Sequence, residues 1–580
     1  MSMKLIQSLA QLPDGQAFDV AVIGAGGAGM ATALFAALEG REVLLVEHTE
    51  YVGGTTALSA GTCWVPGTTQ GASVNPNDTL ADADRYLQTA VGHYGVSDLR
   101  RVFLERGAEA IEHLAKKSEV QFRPYAKHPD YISELAGSTT AGRALEPVPF
   151  DARQLGKLFG LVRPPIEEFT VLGGMMVDRT DINHLLGMRQ SWASLKHSLR
   201  ILTRHARDKL SHPRGTRLVM GNALIARLLH SLSSLPNVTL AMNTEVTSLQ
   251  GDHYGVKGLT LAKSGAFKSV RVRGGVVLAS GGFNRNEVRR RALLPGTESG
   301  WCPGAPGHTG KAHVLAETVG ARYGKETMSP AYWAPVSRRK RADGSTAVFP
   351  HFVMDRAKPG VLCVNSAAQR FVNESTSYHL FGLAMQQSGS DGRVSTPAFL
   401  ICDAIALKKY GLGMVRPGGG GLARFLADGY LTQAETVEEL AKSLGIDGQR
   451  LTATVARFNQ LARSGVDEDF HRGETTYQRN LGDPHWPGPN PCMGPLEQGP
   501  YFAVRLYPGD IGAAQGFDTD VHAQTLDENG HPIPGLYAVG NDMRSIMGGV
   551  YTAPGITIGP GIVFGYLAAR HACARALDMR

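Results

Sequence analysis

Apolar residues near the start of the chain come in two short unbroken runs with an alanine- and leucine-rich stretch between them. Val20 to Ile23 shows neither charge nor alternation, which predicts a parallel strand covered on both faces. Ala31 to Gly40 predicts a helix, and Glu42 to Val46 a second strand that ends at Glu47. Between the first strand and the helix, Gly24, Gly26 and Gly29 fill a G-x-G-x-x-G pattern. The first glycine permits a tight turn, the second lets backbone approach a pyrophosphate, and the third lets helix and strand pack closely. The N–H groups at the helix start then point at phosphate oxygens. Glu47 follows the glycines by about 20 residues, the spacing of an acid that binds ribose hydroxyls. In this order the elements predict a dinucleotide site built on Gly24, Gly26, Gly27, Ala28, Gly29 and Glu47.

Further along, Tyr51 to Gly61 is rich in small and hydroxyl residues. Its Gly54, Thr55, Thr56, Ser59 and Gly61 are candidates to bring donors onto phosphate and ring edges. Leu80 to Lys117 predicts helix, and Tyr125 to Phe150 a loop region. Ser191 to Leu210 places Trp192, Leu195, Leu199, Leu202, Ala206 and Leu210 at helical spacing, with Lys196, Arg200, Arg204 and Arg207 off that stripe. A helix packed on the protein's own core is the expectation here, and a membrane-surface helix the alternative. Asn237 to Val246 and Gly275 to Ala279 predict strands of the first sheet, the latter running into a turn at Ser280 and Gly281. After Phe283 the pattern predicts mixed helices and loops, with the basic run Arg338 to Arg341 as a solvated loop. Gly418 to Gly421 predicts a flexible loop, because no apolar strand leads into it and no acid follows. Thr436 to Arg463 predicts helix, Pro484 to Pro500 a connector, and Gly535 to Asn541 a strand and turn returning to the first sheet. The chain therefore reads as an α/β protein whose nucleotide domain is split: residues 17–283, an insertion over 284–499, and a return over 500–580.

Glycine is 70 of 580 residues, about 12% against a usual ~7%, which suits many tight turns and phosphate loops. The net charge of +7 is spread along the chain and no nucleic-acid-reading motif accompanies it, so no nucleic-acid partner is expected. Six cysteines show no paired or metal-finger spacing and are expected as buried thiols in a reducing, cytoplasmic compartment. No metal-ligating or hydrolase motif competes with the nucleotide signature, and no metal is expected.

Seven stretches together carry a resemblance: GAGGAG (24–29), YVGGTTALSAG (51–61), GRALEPVPFD (142–151), VVLASGGF (276–283), QRFVNESTSY (369–378), GLYAVGN (535–541) and VYTAPGITIGPG (550–561). The chain resembles the succinate dehydrogenase and fumarate reductase flavoproteins, and within them most closely the 3-ketosteroid 1-dehydrogenases. The resemblance spans Phe18 to His571. It implies FAD in a split Rossmann-like domain and an inserted α+β catalytic domain that caps the flavin. It adds Val246, Ser280, Gly281, Gly540, Asn541, Gly555, Ile556 and Ile558 to the candidate cofactor contacts. It implies a catalytic set of Tyr131, Tyr378, Tyr551 and Gly555. Thr552, Ala553 and Pro554 depart from the Tyr-Pro-Gly-x-Gly usual in that branch. The dicarboxylate branch carries His and Arg where this chain has Tyr551 and Gly555, so the cation that a dicarboxylate needs is missing. Covalent-flavin members place a His in the loop that here reads Gly53-Gly54-Thr55, so noncovalent FAD is implied.

The chemistry suits those residue types. Dehydrogenation beside a ketone needs a donor on the carbonyl oxygen, a base for the alpha proton and an acceptor for the beta hydride. Tyr551 O–H and the Gly555 N–H form an oxyanion-hole-like pair. Tyr378 as phenolate is the base, with Tyr131 assisting its ionisation through a hydrogen bond, and flavin accepts the hydride. The expected partners are an apolar ketosteroid-like substrate and an external electron acceptor such as a quinone. A loose peripheral contact with the inner face of the membrane is compatible with both. Two rivals stand beside this reading: a flavin dehydrogenase or enone reductase for another alicyclic ketone, and a non-catalytic flavin-binding redox protein. The latter has no need of a base and an oxyanion donor.

Overall fold

The computed structural model describes residues 2–352, 355–388, 392 and 394–579. Its larger sheet is built on the uncharged runs of the N-terminal region. The strands Ala17–Ile23 and Val43–Val46 pair in parallel, and Val43–Val46 also pairs with Val238–Ala241, beyond which lies Lys4–Ile6. The glycine-rich helix Gly27–Leu38 begins at once after the first turn and is buried nearly throughout.

One long strand joins two kinds of pairing. The first half of Ala266–Leu278 runs antiparallel to Gly255–Lys263, which in turn pairs with Glu245–Asp252. Its second half lies parallel to Ala17–Ile23 on one side and to Pro532–Ala538 on the other. The segment Gly535 to Ala538 thus returns to the first sheet, as its sequence predicts. The C-terminal helix Ile558–Asp578 packs across the glycine-rich helix. Gly565 allows that approach, since a Cβ there would lie 2.5 Å from Thr32 Oγ1.

The insertion departs from the expected mixture of helices and loops. It holds a six-stranded antiparallel sheet in the order Thr346–Pro350, Ala331–Lys340, Tyr501–Ala513, Ala398–Cys402, Val361–Val364, with Leu431–Ala434 also paired to Tyr501–Ala513. Tyr501–Ala513 lies after the Pro/Gly connector yet is central to this second sheet, and the chain rejoins the first sheet only at Gln524–Leu526. Arg338 to Lys340 is strand, not solvated loop. Arg339 pairs with Asp428 and Arg341 with Glu168, so partners across the fold take up the basic run. Gly418 to Gly421 lies in a run of turns closed by a bridge between Arg416 and Gly420.

Ser191 to Leu210 also departs from expectation. The helix is present as Trp192–Asp208, but its core face consists of Ser198, Ile201, His205 and Asp208. Trp192 (85% exposed), Leu199 and Leu210 of the predicted apolar stripe face outward. All six cysteines are free and buried. Among the described residues no helix is long and apolar enough to cross a membrane.

Candidate active site

The nucleotide end comes together around the first turn. At Gly24 a Cβ would stand 2.4 Å from the Ala279 carbonyl oxygen, and at Gly29 a Cβ would stand 1.9 Å from that of Gly24. Both glycines are demanded by close backbone approach. At Gly26, by contrast, a Cβ would meet nothing within 4 Å, which leaves open space over the helix start where a pyrophosphate belongs. Glu47 accepts hydrogen bonds from Ala25 N–H (2.9 Å), Thr49 N–H (2.9 Å) and Thr49 Oγ1 (2.8 Å). The carboxylate is thereby fixed beside the glycine turn. Val246 lies on the neighbouring strand opposite Leu261, two residues beyond Thr244, whose N–H donates to the Glu47 carbonyl (3.0 Å).

The second loop packs against the first. Gly53 N–H donates to the Ala25 carbonyl (2.7 Å), and Thr55 Oγ1 accepts from Ala305 N–H (2.9 Å). Thr56 Oγ1 lies where a Cβ on Gly27 would fall, at 2.7 Å. Ser59 and Gly61 serve the turn itself: Gly61 N–H donates to Ser59 Oγ (3.0 Å), and a Gly61 Cβ would strike Gly221 N at 2.7 Å. Ser280, Gly281, Gly540 and Asn541 meet through a residue that sequence reasoning missed. Asp542, fully buried, accepts from Ser280 N–H, from Ser280 Oγ (3.0 Å) and from Gly282 N–H (2.8 Å), and pairs with His313 (2.9 Å). These contacts hold its carboxyl below the usual range despite burial. Gly540, Asn541 and Ile556 line one cleft together with Thr557 and Gly561. Ala28 touches its edge, 3.0 Å from a Cβ placed on Gly540, and Ile558 opens the C-terminal helix beside it.

Three tyrosines remote in sequence converge where the two sheets meet. Tyr131 is held by its backbone: its N–H donates to the Thr552 carbonyl (2.8 Å), the same carbonyl that accepts the Tyr86 hydroxyl (2.6 Å). The preceding Asp130 accepts from Trp64 Nε1 (2.8 Å) and Arg143 Nη1 (2.9 Å). Burial pushes the Asp130 carboxyl up to about 6, with Arg143 acting against the rise. Tyr378 opens the helix Tyr378–Gln386, capped by Ser377. Arg356, fully buried, donates to the Glu374 and Thr376 carbonyls (2.6 Å each) and fixes the turn just before that helix. Tyr551 and Gly555 sit on the loop before the C-terminal helix.

The Tyr131 hydroxyl donates to the Tyr378 hydroxyl at 3.1 Å. The Tyr551 ring stacks on Tyr131 (centroids 5.8 Å, 15° between planes) and meets Tyr378 edge to face at 5.1 Å. Gly555 has a φ of 90°, and a Cβ there would lie 2.5 Å from the Thr62 carbonyl oxygen, so only glycine fits. Its carbonyl accepts from Trp64 N–H (3.1 Å), while its own N–H makes no hydrogen bond among the described residues. Burial pushes the phenols of Tyr131 and Tyr378 well above their ordinary value, and that of Tyr551 upward too. The neighbouring Tyr131 and Tyr551 phenols add to the rise at Tyr378, while the positive end of the helix it begins favours the phenolate, as does a hydrogen bond donated by the Tyr131 hydroxyl.

Further residues lacking any local sequence signal complete the site. Tyr332 meets the Tyr551 ring at 5.0 Å, and Phe352 meets Tyr378 at 4.9 Å. Tyr477 packs on Tyr131 at 4.7 Å, and its buried hydroxyl makes no hydrogen bond among the described residues. Burial pushes that phenol up to about 12, with Arg356 pulling the other way. His379 accepts from Trp333 N–H (3.2 Å), and burial brings its imidazole down to about 3, so it is neutral. His308, likewise brought down to about 4 by burial, lies 3.3 Å from Thr55 Oγ1 and against Gly281.

Residues 19–558 match the family described as FAD binding domain. The chain is 36% identical to the 3-oxosteroid 1-dehydrogenase of Mycolicibacterium smegmatis, over 98% of this chain and 99% of the relative. It is 37% identical to the 4-oxocyclohex-2-ene-1-carboxylate 5-dehydrogenase of Sinomonas cyclohexanicum, over 96% and 93% of the two chains. The crystal structure of 3-ketosteroid delta1-dehydrogenase from Sterolibacterium denitrificans, in complex with 1,4-androstadiene-3,17-dione, superposes with a TM-score of 0.88 at 33% identity, covering 96% of this chain and all of that one. The chain therefore belongs to the FAD-binding flavoprotein family and, within it, to the branch that holds the 3-oxosteroid 1-dehydrogenases.

Proposed function

We propose that the protein dehydrogenates the C1–C2 bond of a 3-ketosteroid, with Tyr551 and Gly555 on the ketone and Tyr378 as base. The observation that carries this reading is the convergence of three buried phenols, one of them on the same loop as Gly555, whose N–H makes no hydrogen bond among the described residues. A ketone oxygen that takes hydrogen bonds from the Tyr551 hydroxyl and the Gly555 N–H gains charge as the alpha proton leaves. Losing one such donor typically costs about 3 kcal/mol in the transition state. Tyr378 receives the proton from the alpha carbon, and Tyr131 steadies the phenolate through its hydrogen bond. Tyr332, Tyr477 and Phe352 supply ring faces for an apolar substrate and keep water from the phenols.

FAD, when bound, supplies the hydride acceptor. Gly24 to Gly29, Glu47, Gly54 to Thr56, Ser280, Gly281, Gly540, Asn541 and Ile556 would hold it, without a covalent bond. A single dinucleotide unit supports an external acceptor such as a quinone rather than NAD(P). The identity to the Sinomonas enzyme favours one second reading, a smaller alicyclic ketone. A ring carboxylate needs a cation, however, and the Arg356 guanidinium beside Tyr477 commits all but one of its N–H donors to backbone carbonyls.

Anaerobic titration of the FAD-loaded protein separates the readings. With 4-androstene-3,17-dione the flavin should bleach, and the product should be the 1,4-diene. With 4-oxocyclohex-2-ene-1-carboxylate it should stay oxidised. Bleaching by the carboxylate alone would establish the second reading, and bleaching by neither would remove both.

A further inference from the structure

We infer, resting on the dehydrogenation proposed above, that Tyr86 and Trp64 are positioning residues that set the spacing between the two halves of the site. One half is Tyr551 and Gly555 on the ketone, and the other is Tyr131 and Tyr378 on the proton. Tyr131 lies in the irregular segment after the strand Phe122–Pro124, and Tyr551 and Gly555 lie in the loop before the C-terminal helix. No strand or helix holds either segment at these residues, so their register depends on individual hydrogen bonds. The alpha carbon adjoins the ketone carbon, so donors and base must meet neighbouring atoms at once. A misplacement of about 1 Å can cost on the order of a hundredfold in rate.

Two bridges flank Tyr131. On one side the Tyr86 hydroxyl accepts from Ile132 N–H (3.3 Å) and donates to the Thr552 carbonyl (2.6 Å), joining the residue after Tyr131 to the residue after Tyr551. On the other the Trp64 indole donates to Asp130 (2.8 Å) and the Trp64 backbone N–H to the Gly555 carbonyl (3.1 Å), joining the residue before Tyr131 to the second ketone donor. Tyr86, Trp64, Asp130 and Thr552 are all buried, where water does not compete for these bonds. Asp130 is steadied by Arg143 (2.9 Å) and Thr139 N–H (3.1 Å), and Arg143 also pairs with Asp78 (2.6 Å). Both bridging side chains stand on regular structure, Tyr86 on the helix Leu80–Val91 and Trp64 on the strand Cys63–Trp64 with its ring stacked on Phe103. They carry the rigidity of that structure to two loops that lack it.

The test uses the full chain loaded with FAD and a ketone that the wild type oxidises. Tyr86→Phe removes one hydroxyl and keeps the ring. It should lower kcat about tenfold or more while KM stays within about threefold and flavin content is unchanged. A second readout is the base. The titratable groups facing Tyr378 are the Tyr131 and Tyr551 phenols, and Tyr86→Phe alters neither. Tyr131 released from its bridge donates less well to the Tyr378 phenolate, so the pH profile of kcat should move to higher pH. In the Tyr131→Phe background, where that hydroxyl is already gone, Tyr86→Phe should move the profile no further. Trp64→Phe removes the indole donor and should act in the same direction. Three results would each overturn the inference: wild-type kcat in Tyr86→Phe, a loss of activity that follows loss of flavin, or a profile shift that persists in the Tyr131→Phe background. A wild type that oxidises no ketone would instead remove the proposed function, and this inference with it.

Discussion

The hydrogen bond from Tyr131 to Tyr378 can be tested by Tyr131→Phe. The substitution removes one hydroxyl and keeps the ring that stacks on Tyr551 and Tyr477, and the Tyr131 N–H that donates to Thr552 is backbone and stays. Burial places the Tyr378 phenol well above its ordinary value, so the phenolate is the minority form at neutral pH. In the wild type, kcat/KM should therefore climb with pH across the neutral range and flatten only on the alkaline side. A hydrogen bond to a charged group contributes about 1.5–3 kcal/mol, and at about 1.4 kcal/mol per unit its loss raises the pKa of the base by about one to two units. Because the base must be deprotonated to act, raising its pKa moves the whole profile to higher pH. At neutral pH the variant should lose about ten- to a hundredfold, and with rising pH it should recover toward the wild-type plateau. Steady-state rates with a dye acceptor across the pH range, with flavin content measured in parallel, check this. A loss that is the same at every pH would show that Tyr131 acts on substrate rather than on the base. An unchanged profile would remove it from the chemistry.

Three further outcomes are expected. With flavin reduced beforehand and the solvent deuterated, wild type should wash deuterium into the carbon alpha to the ketone, Tyr378→Phe should nearly abolish this and Tyr551→Phe should slow it; mass spectrometry of recovered ketone reads all three, and wild-type exchange in Tyr378→Phe would assign the base elsewhere. Gly29→Ala puts a Cβ 1.9 Å from the Gly24 carbonyl oxygen, so the purified protein should carry little flavin by absorbance, and full occupancy would contradict the close approach. Acid precipitation should release all flavin to the supernatant; flavin kept in the pellet would mark a covalent bond, for which His308 beside Thr55 is the residue to map by peptide mass.

What the chain determines locally could be read from it directly. The uncharged run before Gly24, the glycine spacing and the acid at Glu47 fix strand, turn, helix and strand within thirty residues, because each acts on near neighbours through backbone sterics and side-chain burial. The motifs around Tyr378 and Tyr551 likewise named their residues, through resemblance. The second sheet could not be read this way. Its central strand Tyr501–Ala513 pairs with segments one hundred and more residues earlier, and periodicity carries no information about distant partners. Nor did the stripe on Trp192–Asp208 disclose its own direction. Helical spacing shows that apolar side chains share a face, but only the packing of Ile201 on Met175 and Val177 decides which face turns inward. The site follows the same division. Tyr131 and Tyr378 stand 247 residues apart in sequence and share a hydrogen bond because buried Arg356 sets the turn before one and the Thr552 carbonyl anchors the other. Tyr477, Tyr332 and Asp542 belong to no local motif, since what makes each of them matter is a neighbour supplied by another part of the chain.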